Sequence, residues 1–171
     1  MNTNTQLNPD YKITFGEAIN RFWRRYAQFS GRATRSEYWF SMLFLFLAGM
    51  GVGIVSSVFA VVAGAGASLV TVIWDLVIIC PSLSIAVRRV HDVGKSGVWV
   101  GATIAASILA TVLGVASQKG NSAPAGLLVC LFGIATIVLG ITVFVFCLMD
   151  SDKGENRYGA SEKYLSSTSQ E

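Results

Sequence analysis

Charge is the scarce property of this sequence. Only 13% of the 171 residues are Asp, Glu, Lys or Arg, where soluble domains carry about 25%. None occurs between Glu37 and Asp75, between Lys95 and Lys119, or between Lys119 and Asp150. Such gaps exclude an ordinary water-exposed surface over much of the chain. Histidine occurs once and cysteine three times. Cys80, Cys130 and Cys147 stand in apolar surroundings at spacings unlike any metal knuckle, so they read as small packing residues. No basic stretch with a short apolar core and a cleavage site, the mark of a secretory signal, precedes Tyr38. The first apolar segment is therefore expected to be retained.

What is present is apolar: 53% of residues are hydrophobic and the mean hydropathy is +0.56. The uncharged runs match the roughly 20 apolar residues that a helix needs to cross a bilayer core. The expected fold is an all-α membrane protein with four transmembrane helices, over 35–62, 69–90, 97–117 and 125–149, and an N-terminal amphipathic interfacial helix over 14–30. Residues 1–13 and 161–171 are expected to be a disordered leader and tail flanking a transmembrane domain over 31–160. The breaks fall at Gly64–Ser68 and Gly120–Pro124, runs that continue a helix poorly.

Lys and Arg set the expected orientation. Lys12, Arg21, Arg24, Arg25, Arg32 and Arg35 precede the first span, Arg88, Arg89 and Lys95 follow the second, and Lys153, Arg157 and Lys163 follow the fourth, whereas the other two loops hold only Lys119. Positively charged loops stay in the cytoplasm, so both termini are expected there. Within the leader, Phe15, Ile19, Phe22, Tyr26 and Phe29 recur at helical spacing with Arg21, Arg24, Arg25 and Gln28 opposite, the pattern of a helix lying in a headgroup plane or packing on a bundle.

Several further residues carry expectations. Thr34 and Glu37, three apart before the first apolar run, have capping-box spacing. Asp150 opposes the dipole at the end of the last helix, so it needs a cation, and Arg88 or Arg89 is the expected partner. Gly49 with Gly53, Gly97 with Gly101, and Gly126, Gly133 and Gly140 form small-residue seams suited to helix packing within or between subunits. Pro81 is expected to kink the second span. Asp75, the one acid inside an apolar stretch, is an intramembrane candidate, although Trp74 beside it equally marks an interfacial position.

Three polar motifs remain: Phe29 to Trp39, Arg88 to Trp99, and Gly154 to Gly159. Their most specific residues are Arg88, Arg89, His91, Asp92, Gly94, Lys95, Ser96 and Gly97, followed by Gly31, Arg32, Arg35, Glu37, Tyr38 and Trp39. Together they resemble the bacterial inner-membrane family known as domain of unknown function 805, the YhaH-like proteins, from about Phe15 to Gly159. The sequence departs from that pattern at Val98, where a Trp is usual, and around Asp150 to Lys153. The resemblance implies a multi-pass protein of the bacterial inner (plasma) membrane and carries no established activity.

A phosphate loop at Gly94, Lys95 and Ser96 is excluded, because Arg89 occupies the position of its first glycine and no strand precedes it. His91 with Asp92 reads better as a loop-ordering element than as a metal or acid–base pair. The four-span topology gathers Arg32, Arg35, Glu37, Arg88, Arg89, His91, Asp92, Lys95, Asp150, Asn156, Arg157 and Tyr158 into one cytosolic polar cluster. Such a cluster fits an interaction or scaffold protein with an unidentified protein partner. The alternative is a clamp for an anionic lipid headgroup or phosphate metabolite, and a small transporter is a third reading. An enzyme, a catalytic or metal site, a cofactor and a nucleic-acid partner are not expected. The lipid bilayer is an expected partner, as is a second copy of the chain through the glycine faces.

Overall fold

A computed structural model describes residues 7–8, 11–63, 67–117 and 123–164. Its elements are α1 (Phe15–Arg24), α2 (Arg35–Ala63), α3 (Ala67–Asp92), α4 (Val98–Ser117) and α5 (Ala123–Leu148). No strand occurs among the described residues, where pairing outside helices is limited to two isolated bridges. Helices α2 to α5 each contain a segment long and apolar enough to cross a membrane. Most of Gly64–Ser68 and of Gly120–Pro124, the expected breaks, lies outside the described residues. Pro124 falls in the first turn of α5, where the missing N–H has no helical partner to lose.

Helix α1 begins at a capping box. The Thr14 hydroxyl accepts from the Glu17 N–H at 3.3 Å, and the Thr14 N–H donates to the Glu17 carboxylate at 2.8 Å. It ends at Arg24, so Tyr26 and Phe29 of the apolar stripe lie past its last turn. Ala18 and Phe22 are buried. Phe22 joins Ala33 and Ile85 in a small core backed by Trp23, Tyr38, Met42, Phe44 and Leu45.

The helices pair as two hairpins, α2 with α3 and α4 with α5, with α3 and α5 as the main link between them. At the end of the molecule that carries the three polar motifs, Trp39 of α2 and Trp99 of α4 meet Phe144 and Phe146 of α5 edge to face at 6.0 and 5.9 Å. Along the shafts, large apolar side chains face outward: Phe46, Ile54 and Leu127 are each about two-thirds exposed. A Cβ built on Gly49, Gly53, Gly101, Gly126, Gly133 or Gly140 would meet no atom within 4 Å, whereas on Gly97 it would lie 2.8 Å from Val87. Close helix approach within the chain therefore requires glycine at position 97, and the other seams face open space.

Pro81 lies inside α3, and the helical acceptor left without a donor is the carbonyl four residues earlier. That carbonyl belongs to Val77, and the Tyr26 hydroxyl donates to it at 2.8 Å. One turn beyond the proline, the Ser84 hydroxyl sits 2.9 and 2.7 Å from the carbonyls of Arg25 and Gln28. The leader is thus docked on α3 by filling backbone valences at both places.

The packed region extends beyond the expected bounds of 14 and 160. Tyr164 is 8% and Ile13 9% exposed, Leu7 bridges Tyr164, and the Tyr11 hydroxyl bonds the hydroxyls of Thr34 and Ser36.

Candidate functional site

The alternating helix directions bring the leader, the α3–α4 loop and the segment after α5 to one end, where α3 supplies a run of charged side chains. Arg88, Arg89 and Asp92 fall at neighbouring positions on its last turns, each at most 1% exposed. Charges so deeply buried are tolerated only when paired and hydrogen-bonded.

Asp92 is the hub. Its carboxylate accepts from Arg32 Nε at 2.8 Å, Arg89 Nη1 at 2.5 Å and the Ser151 hydroxyl at 2.5 Å. Arg32 has five N–H donors, and five acceptors surround it. Besides the Asp92 carboxylate, Nη1 reaches the carbonyls of Gly154 at 2.7 Å and Gly159 at 3.2 Å, and Nη2 those of Asp152 at 2.7 Å and Asp92 at 3.2 Å. Gly154 and Gly159 have φ of +106° and +122°, a region that favours glycine, and this turns their carbonyls inward. Arg89 also donates to the carbonyls of Ala33, Cys147 and Met149. Cys147 lies in the terminal turn of α5 and Met149 just past its end, where carbonyls lack helical donors, so Arg89 acts as a cap supplied by another helix.

A second cluster surrounds Glu37, which is fully buried. Arg88 Nη1 donates to Oε1 at 2.8 Å, while Arg21 and Arg25 approach Oε2 at 3.5 and 3.9 Å. Arg88 Nε and Nη2 and Glu37 Oε2 are buried with no hydrogen-bond partner. This cluster replaces the expected Thr34–Glu37 capping box: Thr34 is engaged by the Tyr11 hydroxyl and Glu37 by Arg88. An ion pair to a buried guanidinium is the stronger demand on a carboxylate.

His91 holds the loop by stacking. Its ring lies 3.7 Å from that of Tyr158 at 6°, and the Arg157 guanidinium lies over the same tyrosine ring, 4.7 Å from its centroid. The His91 carbonyl accepts from Asn156 Nδ2 at 3.0 Å, and Asn156 Oδ1 receives the Tyr158 N–H at 2.9 Å, fixing the turn that presents the tyrosine. Gly94, at φ +68°, lies so close to Asp152 that an added Cβ would stand 2.5 Å from its carboxylate.

Asp150 departs from expectation. Its partners are Lys163 at 2.5 Å and the Tyr164 hydroxyl at 2.9 Å, because the chain folds back after α5 while Arg88 and Arg89 are engaged by Glu37 and Asp92. Partial desolvation works against its charge, yet hydrogen bonds from Lys163, Tyr164 and the Ser151 N–H outweigh it and lower the carboxyl to about 2. Of the remaining candidates, Arg35 and Lys95 are exposed at the rim, and Asp75 is exposed on α3 away from the cluster. Sequence reasoning missed Arg21, Arg25, Ser151 and Glu162. The basic face of the leader signalled the first two, but nothing local marks the others. No group of three or more His, Cys, Asp or Glu suited to a metal occurs among the described residues.

The model of a family described as protein of unknown function DUF805 matches residues 26–160, which includes all three motifs. The chain belongs to that family. Inner membrane protein YhaI of Escherichia coli strain K12 is 34% identical over 76 residues, 44% of this chain and 61% of that protein. Inner membrane protein YhaH of the same strain is 28% identical over 76 residues, 44% of this chain and 63% of that protein. The match thus spans less than two-thirds of the length of these curated relatives. No solved structure matches the chain.

Proposed function

We propose that the protein is a multi-pass inner-membrane interaction or scaffold protein whose rigid cytosolic cap docks a protein partner. The buried Asp92 hub carries this reading. It welds the leader, the end of α3 and the segment after α5 into one unit, and a preorganised surface loses less entropy on binding. In this reading both termini are cytoplasmic, which the distribution of Lys and Arg supports, and α1 lies at the interface. The exposed Arg35, Lys95 and Arg157 form the charged rim that meets the partner. A headgroup clamp made of Arg32 and Arg89 has less support, because their donors are engaged by protein carbonyls and Asp92. A transporter has less support because few polar groups line the shafts.

The test uses photocrosslinkers placed at Lys95, Arg157 and the shaft residue Phe59 in cells. A discrete adduct from the two cap positions, absent from Phe59 and lost in Asp92→Asn, is the expected result. Identical adducts from all three positions, or none, would sink the reading. Reporter fusions placing residue 93 and the C-terminus on opposite sides of the membrane would remove the cap altogether.

A further inference from the structure

Beside the cap, the basic side of α1 borders an open groove of about 350 Å³ lined by Asn8, Tyr11, Lys12, Glu17, Arg21 and Glu162. The charged groups that line it balance, Lys12 and Arg21 against Glu17 and Glu162. Arg21 also belongs to an arginine cluster in which three guanidiniums, of Arg21, Arg25 and Arg88, face the single buried carboxylate of Glu37, leaving that cluster an excess of two positive charges. A distant segment reduces that excess: Glu162 Oε2 lies 2.6 Å from Arg21 Nη1, and Oε1 3.4 Å from Arg25 Nη2.

We propose that Arg21 and Arg25, with Lys12 at the rim, form a binding site for a phosphate-bearing anion, and that Glu162 occupies it as a built-in competitor. The carboxylate of Glu162 spans the two guanidiniums as one edge of a phosphate group does. Arginine forks match the several acceptor oxygens of phosphate bidentately. Buried Arg88, whose Nε and Nη2 are unpartnered, adds positive field. The competitor is weakly held, since its side chain and the two arginine side chains are each about one-third exposed, and ion pairs so exposed contribute at most about 1 kcal/mol. Its backbone is tethered by the Asn8 N–H to the Lys163 carbonyl at 3.0 Å and by Lys163 to Asp150, so Glu162 can release the arginines while the segment stays attached. The anion is a lipid headgroup or free phosphate, which present the same oxygens.

The experiment uses the full chain in nanodiscs and two arms. Inorganic phosphate is titrated calorimetrically in phosphatidylcholine discs, and native mass spectrometry reads retained lipid from mixed phosphatidylglycerol–phosphatidylcholine discs. Glu162→Gln is expected to bind about fivefold tighter in one arm, the factor that corresponds to loss of a competitor worth about 1 kcal/mol. The arm that responds names the source. Adding Arg21→Gln and Arg25→Gln to Glu162→Gln is expected to abolish the gain. Because those arginines also face Glu37, Lys12→Gln serves as a second variant, and weaker binding at an unchanged melting temperature is expected. Unchanged affinity of Glu162→Gln in both arms, or undiminished binding after Lys12→Gln, would overturn the proposal.

Discussion

The charged end and the apolar shafts are held together by opposite means. At the charged end, Arg88, Arg89, Glu37 and Asp92 are as deeply buried as Ile85, Val90 and Phe22, the best-buried large apolar side chains among the described residues. Along the shafts, leucines, valines and phenylalanines face outward, and at six glycines of the expected seams an added Cβ would meet no neighbouring atom within 4 Å. The contrast follows from the solvent. In lipid, apolar side chains gain little from leaving one surface for another, so the hydrophobic effect does not gather the shafts. Backbone carbonyls and carboxylates, by contrast, must find donors wherever water is excluded. In this protein the polar groups specify the tertiary structure.

The largest test of that contrast is Asp92→Asn. It leaves Arg32 and Arg89 buried without their shared counter-charge and should cost about 3–5 kcal/mol. Reversible unfolding in mixed micelles would measure it, and a loss below 1 kcal/mol would mean that the carbonyl cage around Arg32 suffices. Gly94→Ala comes next. A side chain at φ +68° that also meets Asp152 should cost about 1–3 kcal/mol, with part recovered by Asp152→Gly.

Tyr26→Phe should cost about 1 kcal/mol in the natural chain and almost nothing beside Pro81→Ala, which restores the helical donor to Val77. A double-mutant cycle reads that coupling directly. For Asp150, a folded carboxyl at about 2 against an ordinary 3.8 means its stabilisation is complete above the ordinary value and lost as pH falls through about 2. The difference in stability between the natural chain and Asp150→Asn should therefore persist at neutral pH and shrink through that window. The smallest effect belongs to Gly133→Ala. With no atom in reach, it should change stability by no more than about 0.5 kcal/mol. A larger loss, together with a changed oligomeric state in native mass spectrometry, would show that a second copy covers the α5 seam.

The four apolar helices were legible because charge is so rare that its gaps outline them. Arg88, Arg89 and Asp92 were legible as a group for a related reason: their spacing puts them on adjoining turns of one helix. Their partners were not. Arg32 is satisfied mainly by carbonyls, which have no signature in a sequence. Asp150 was assigned a cation from the wrong segment, because the fold-back that supplies Lys163 depends on Tyr164 packing against the leader. The glycine spacings identified faces, but spacing alone does not say what a face meets. Pro81 signalled a break in the hydrogen-bond ladder of its helix, while the tyrosine that answers the freed carbonyl lies 55 positions earlier.

The five-acceptor cage around Arg32 also imposes an order on biogenesis. The arginine is translated early, whereas the carbonyls of residues 152, 154 and 159 leave the ribosome only after the last helix has been made. A nascent chain interrupted before that point carries a guanidinium with most of its donors unanswered. Until then water takes the place of those carbonyls, so the cage is among the last parts of this end of the molecule to close.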